Sequence, residues 1–323
     1  MKKTILYSII SFFIMTNIGF AKTEVILGIS AKSGSLQYTT AEDFTKTANK
    51  MCGSKCEVKF FGNSQLGSDK ELMSKLKLGS VHLALPSSMM SSIVAEAGLF
   101  DMPFIVKDRN HVRAIEKNVF WPDIHPKIQD KGYTVIGFWE NGVRHITNSK
   151  RPIDKPSDLK GLKIRTPKST WRVKMFKAWG SSPTPMAFNE VFTALQTGVI
   201  DGQENPYTNV DGAKFQEVQK FLSKTGHVYT PAYLTAGKDT FSKLPKDVQN
   251  ILKNAAEDVR GRMYKTAEEG EVSLEKKLVA GGMKLNVANK AAFVEASKPI
   301  YKMFAEEVAG GQKLVDKALA LAN

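Results

Sequence analysis

Three polar segments in the middle of the chain hold the residues best suited to meet a small molecule. Trp139-Glu140-Asn141-Gly142-Val143-Arg144-His145 follows a strand-like run. Lys163-Ile164-Arg165-Thr166-Pro167 is a strand end cut off by proline. Asp201-Gly202-Gln203-Glu204-Asn205-Pro206 reads as a turn after a helix and a short apolar pair. Each sets polar groups at a strand end or in a turn, where the ligands of open α/β sheets are met. An arginine so placed offers a planar fork of donors that matches a carboxylate. On the residues alone, Arg165 serves a ligand or a structural ion pair with Asp158 or Glu190. Asn205, next to Pro206, suits a turn as well as a ligand.

Covalent chemistry has weaker support. The chain contains no Gly-x-Ser-x-Gly elbow, no Gly-x-Gly-x-x-Gly and no Gly-x-x-x-x-Gly-Lys. Its histidines, at 82, 111, 125, 145 and 227, never fall as His-x-x-x-His. The carboxylate pairs Glu268-Glu269 and Glu306-Glu307 lie on predicted helices, where solvated faces account for them. The expectation is a binding protein that is not an enzyme and uses no metal or cofactor.

The elements that must position these residues alternate. Glu24–Ser30, Glu57–Phe61 and Val81–Leu85 read as strands, with helices over Tyr38–Met51 and Asp69–Leu78 between them. Strand, helix, strand, helix, strand marks a parallel α/β unit. Tyr133–Trp139 reads as another strand, and a second group starts near residue 142, with a short strand at Leu162–Arg165 and helices at Trp171–Ala178 and Asn189–Thr197. From Leu244 a helical pattern runs toward Leu278 and stops at Gly281-Gly282. A helix of that length is about 50 Å long and could cross from one lobe to the other. The last 30 residues read as one or two further helices. The fold class expected is α/β, with two α/β lobes, several crossovers around a ligand cleft and a long helix bridging the lobes. Lobe I comprises 22–141 plus about 231–270, and lobe II comprises 142–230 plus about 271–323.

Composition sets the frame. The 323 residues are 42% hydrophobic and 24% charged, which excludes a disordered or fibrous chain. The formal net charge of +14 calls for an anionic partner: nucleic acid, an anionic membrane or a small acid. Residues 1–21 read as a secretory signal peptide, with Lys2 and Lys3, an apolar run, then Gly19-Phe20-Ala21. Its removal leaves 44 basic against 32 acidic residues, a net +12, in a periplasmic protein. Export, and the scatter of the basic residues, argue against a nucleic-acid partner. Cys52 and Cys56 are the only cysteines. They could form a short disulfide staple, a redox pair or half a metal site. Three intervening residues and the lack of a second Cys/His pair favour the staple.

A longer pattern then identifies a family. Gly180-Ser181-Ser182-Pro183-Thr184-Pro185-Met186-Ala187-Phe188, Glu190-Val191, Ala194-Leu195-Gln196-Thr197-Gly198-Val199 and the 201–206 segment resemble the DctP-type solute receptors. These are the extracytoplasmic binding proteins of tripartite ATP-independent periplasmic (TRAP) transporters. Asn63-Ser64-Gln65-Leu66-Gly67, Trp139 through Asn148 and Asp158 through Arg165 match as well. The resemblance implies a periplasmic-binding-protein fold and a ligand carboxylate held by Arg165 in a two-point salt bridge. It also implies that Asn205 donates its amide to that carboxylate and that Arg144 is a second arginine near the ligand. Phe188 would pack on the ligand's carbon skeleton, and His227 would stand close to the cleft. Trp139 and Lys168 are further contact candidates, the latter for a second anionic group. The implied ligand is a small organic acid: a dicarboxylate, a keto or hydroxy acid, or a sugar acid. Sialic-acid receptors of the family carry a glutamate and an arginine where this chain has Leu85-Pro86-Ser87-Ser88-Met89. Lys168 replaces a family asparagine, so sialic acid is disfavoured. The implied partners are the small and large membrane subunits of a sodium-coupled permease, with the receptor a monomer. The alternatives are the binding protein of an ATP-driven importer and a secreted enzyme acting on acids.

Overall fold

A computed structural model describes residues 22–322; the expected signal segment, 1–21, lies outside the described residues. The strands are β1 (Thr23–Gly28), β2 (Cys56–Phe61), β3 (Leu83–Ala84), β4 (Tyr133–Asn148), β5 (Lys163–Thr166), β6 (Ser182–Pro185), β7 (Gly202–Asn205), β8 (Phe221–Gly237) and β9 (Lys284–Val287). The helices are α1 (Leu36–Cys52), α2 (Asp69–Leu78), α3 (Arg109–Ile115), α4 (His125–Asp130), α5 (Thr170–Ala178), α6 (Val191–Gln196), α7 (Tyr207–Gly212), α8 (Lys238–Ser242), α9 (Lys246–Ala280), α10 (Lys290–Glu307) and α11 (Gly311–Ala320).

One sheet of mixed direction runs β2-β1-β3-β8-β4-β7-β5-β6, with β9 on the far end of β8. Its backbone is the antiparallel pair β4 and β8, which traverses the whole molecule. One end of that pair is flanked by β3, β1 and β2, the other by β7, β5, β6 and β9. Two α/β halves therefore share two long strands. The register of the pair shifts at Glu140/Gly142, where one half gives way to the other. Gly142 there has φ +126°, and a Cβ would lie 3.1 Å from Pro206 Cβ, so glycine serves the bend on both counts.

Local signals set the element ends. Ser35 caps α1 by accepting from Tyr38 N–H, and Ser68 and Glu71 form a capping box on α2. Pro245 precedes α9 and Gly281 ends it. At 35 residues α9 is about 52 Å long. Its Leu252, Ala256, Val259 and Met263 pack with Phe44 and Ala48 of α1. Farther along, Leu278 joins Val191, Leu195 and Val210 of α6 and α7. The helix thus spans two hydrophobic cores. Cys52 and Cys56 are disulfide-bonded, tying the end of α1 to the start of β2.

Three segments depart from expectation. Residues 139–145 continue β4, paired with β8, rather than follow the end of a strand. Residues 202–205 form strand β7 rather than a turn, because they pair with both β4 and β5. The second long strand, β8, was not anticipated; Gly226 and Pro231 inside it break the alternation that marks a strand.

Candidate functional site

The carboxyl ends of β5 and β7 and the middle of β4 meet the loops after β1 and β3. They enclose a polar cavity of about 50 Å³, measured to the centre of a water molecule. Arg144, Arg165, Asn141, Asn205 and Asn209 line it from one side, Ser30, Gln37, Asp69, Ser87 and Ser88 from the other, with Met89, Pro167 and Phe188 as apolar wall. A smaller chamber shares Asp69, Met89, Arg165, Pro167 and Phe188 and reaches Lys70 and Lys168. These lysines and Met89 also line an outer groove of about 670 Å³.

Arg165 sits on β5 with its side chain pointing into this space and is 3% exposed. Its Nε and Nη2 donate to Met186 O at 3.1 and 2.8 Å. No carboxylate lies within 4.0 Å of it among the described residues, so the ion pairs open to it with Asp158 or Glu190 are not formed. Burial, then the nearby charge of Arg144, lowers the guanidinium to about 10, which leaves it protonated at neutral pH. Nη1 has no partner among the described residues. A buried cation without a counter-ion is costly unless an anion is supplied. Phe188, half-buried, lies with its ring centroid 5.9 Å from this guanidinium.

Arg144 also lines the cavity, but its fork is occupied. Nε and Nη2 bind the Glu204 carboxylate, and Nη2 also donates to Glu204 O at 2.6 Å. Glu204 receives Arg172 Nη1 at 2.9 Å and lies 3.2 Å from His227 Nε2. Arg172 in turn holds Asp101 through Nε and Nη2, at 3.1 and 3.0 Å. All five side chains are buried. Burial opposes the charge on Glu204, yet Arg144 and Arg172 outweigh it and hold its carboxyl below the usual range.

The remaining candidates divide. Asn205 lines the cavity; its amide donates to Gln203 Oε1 at 2.5 Å and its Oδ1 accepts from Asn209 at 3.1 Å. Lys168 is exposed at the outer chamber. His227 does not line the cavity but stands behind it, on Glu204. It is fully buried, with its ring between Phe176 and Trp179, Nδ1 2.7 Å from Thr225 Oγ1, and it braces Glu204 from behind. Burial lowers it to about 4, against the pull of Glu204. Trp139 likewise does not reach the cavity. Its indole donates to Ala256 O of α9 at 3.0 Å and packs on Phe44.

Sequence reasoning missed Asp69, Asn209, Arg172 and Asp101. Asp69 is the first residue of α2, as its place in the sequence suggested, but that position also turns its carboxylate to the cavity. Arg172 had a signal: it falls in the apolar stripe of α5 with Met175, Phe176 and Trp179, at helical spacing. An arginine there needs buried acids. Asn209 Oδ1 is buried with no partner among the described residues, an acceptor left for a ligand or water.

The arrangement offers one charged fork, a wall of amides and hydroxyls and an apolar patch, which suits capture of a small polar anion. Comparisons with known proteins agree. The family model for DctP, described as bacterial extracellular solute-binding protein, family 7, matches residues 27–307. A solute-binding protein of Verminephrobacter eiseniae is 36% identical over 289 residues, 89% of this chain and 86% of its own. The 2,3-diketo-L-gulonate-binding periplasmic protein of Escherichia coli is 33% identical over 282 residues, 86% of each chain. Among solved structures, a TRAP periplasmic solute-binding protein of Polaromonas sp JS666 bound to D-erythronate superposes with a TM-score of 0.87 at 34% identity, covering 93% of this chain and 99% of that one. The chain belongs to the DctP family, the extracellular solute-binding proteins of TRAP type.

Proposed function

We propose that this protein is a periplasmic receptor that captures a small organic acid anion and performs no covalent chemistry. One observation carries the reading. Arg165 is a buried guanidinium with no carboxylate partner among the described residues, in a polar cavity between two lobes. A ligand carboxylate supplies the missing hydrogen-bonding partner, and each charge-assisted hydrogen bond contributes roughly 1.5–3 kcal/mol. Asn205 and Phe188 complete the grip, while Arg144 adds field rather than a free fork. The acids in the relatives, 2,3-diketo-L-gulonate and D-erythronate, support the class.

The lobes divide as 22–141 with about 231–270 and 142–230 with about 271–323, with the hinge at the 140/142 bulge. Closure over the ligand is a population shift driven by contacts made only in the closed state. The loaded receptor, exported by its signal peptide and monomeric, delivers the acid to the small and large subunits of a sodium-coupled membrane permease. A thermal-shift screen against organic acids tests the reading. A ligand at 100 times its dissociation constant stabilises by about 2.7 kcal/mol, which is readily seen. Stabilisation confined to neutral sugars or amines would overturn it.

A further inference from the structure

The charges around the cavity can be counted. Arg144 and Arg172 are matched by Glu204 and Asp101 through the contacts above. In the inner cavity that leaves Arg165 and Asp69, while Lys70 and Lys168 stand solvated at the exposed rim. Asp69, the first residue of α2, lines both chambers with Arg165. Its carboxylate takes Ser30 Oγ at 2.6 Å and has no cationic partner within 4.0 Å among the described residues. With Asp69 ionised the set is neutral before any ligand arrives. A carboxylate on Arg165 then leaves one negative charge too many beside buried guanidinium groups and a half-buried Asp69, and such a charge is removed by protonation. Glu204 is held below the usual carboxylate range by Arg144 and Arg172 and cannot take the proton cheaply, and both Asp101 oxygens are already occupied, by Arg172 and by the Ser169 hydroxyl. Asp69 can.

We propose that the cavity takes an acid carrying a single negative charge, and that Asp69 takes up one proton from solvent as the acid binds. This rests on the cavity being the acid site. The protonated carboxyl becomes a donor beside the ligand, suited to a hydroxyl or keto oxygen. The amides of Asn141, Asn205 and Asn209 face the same space. A second ligand carboxylate would restore the excess charge, so dianions are disfavoured. The charged groups facing Asp69 are Arg165 from β5, Arg144 from β4, and Lys70 and Lys168 at the outer chamber. Glu71, on the same helix, is turned away to cap Ser68, and Glu190 acts on Arg165 from the exposed rim. Burial raises the Asp69 carboxyl, against the Ser30 hydrogen bond and the charge of Arg165, which is the direction the count requires.

Isothermal titration of the purified protein decides it, with D-erythronate, D-galactonate and succinate as probes. Runs at one pH in buffers of different ionisation enthalpy give the protons taken up. The monoanions are expected to bind with close to one proton taken up. Their dissociation constants should weaken by up to about tenfold per pH unit from pH 6 to 8. Succinate should bind at least about a hundredfold more weakly than the better monoanion, the scale of a buried unpaired charge. Asp69→Asn should abolish the proton uptake, flatten the pH dependence and bind the monoanions more tightly than wild type at pH 8. Zero uptake with the wild-type protein, or succinate bound as tightly as the monoanions, overturns the proposal even if Asp69→Asn fails to fold. Acid binding that Arg165→Ala abolishes, without proton uptake, overturns this inference and leaves the acid-receptor reading standing. Binding of none of a wider set of acids overturns both.

Discussion

Arg144 and Glu204 meet fork to fork at the centre of the sheet, Nη2 to Oε1 at 2.9 Å and Nε on Oε2, with neither side chain more than 2% exposed. The two strands that carry them, β4 and β7, are antiparallel neighbours, with His145 opposite Asn205 and Ile146 opposite Glu204. The pair is therefore set by strand register. It leaves Arg165, one strand farther on, as the cation in the cavity with no carboxylate within 4.0 Å among the described residues.

Arg165→Ala should weaken binding of any acid ligand by at least about a hundredfold, the worth of two charge-assisted hydrogen bonds. Titration calorimetry on a variant with unchanged circular dichroism checks it. Arg165→Lys should recover little, since an ammonium cannot reproduce the fork.

Glu204→Gln removes the counter-charge shared by Arg144 and Arg172. Breaking a buried ion pair from one side costs about 3–5 kcal/mol. Urea unfolding should show a loss of that size; a loss under 1 kcal/mol would mean the cluster relaxes freely.

Acid should unfold the protein partly through its histidines. His227 and His145 are held by burial at about 4 and about 3, below the ordinary value of 6.5. The unfolded chain binds more protons than the folded one between those values. Stability from these residues is present above about pH 6.5 and falls as pH drops toward 4. The urea midpoint should decline over that window, and His145→Gln should flatten the decline whatever its own stability.

Trp139→Phe should lower stability by about 1–3 kcal/mol through the lost bond to Ala256 O and reduced packing on Phe44. Acid affinity should stay within twofold. A large affinity loss without a stability loss would return Trp139 to the binding surface.

Replacing Cys52 and Cys56 together by serine should cost about 2 kcal/mol, the chain-entropy value for so short a loop. Because the bond lies at the α1–β2 junction and not at the cavity, ligand affinity should not change.

Much of this was legible along the chain. The strand–helix alternation through β3, the stop of α9 at Gly281, the length of α9 and the strand-end position of Arg165 follow from periodicities and end signals that act over a few residues. Which arginine stays free did not follow. Arg144 and Glu204 are 60 positions apart, and Arg172 and Asp101 are 71 apart. Only the folded sheet and α5 bring them together. Counting faces along β4 also fails, because the shifts at Val135/Gly137, Glu140/Gly142 and Arg144/Ile146 each break the two-residue alternation. Side chains beyond the first shift change face: Tyr133 and Val135 pack in one core and Trp139 in the other, with α9. The amino-acid sequence by itself determined the first α/β unit, the long helix α9, the family and the presence of a guanidinium at a strand end. The tertiary structure alone decided which charges cancel and which remain for a ligand, since pairing depends on distance in space and desolvation on what surrounds each group.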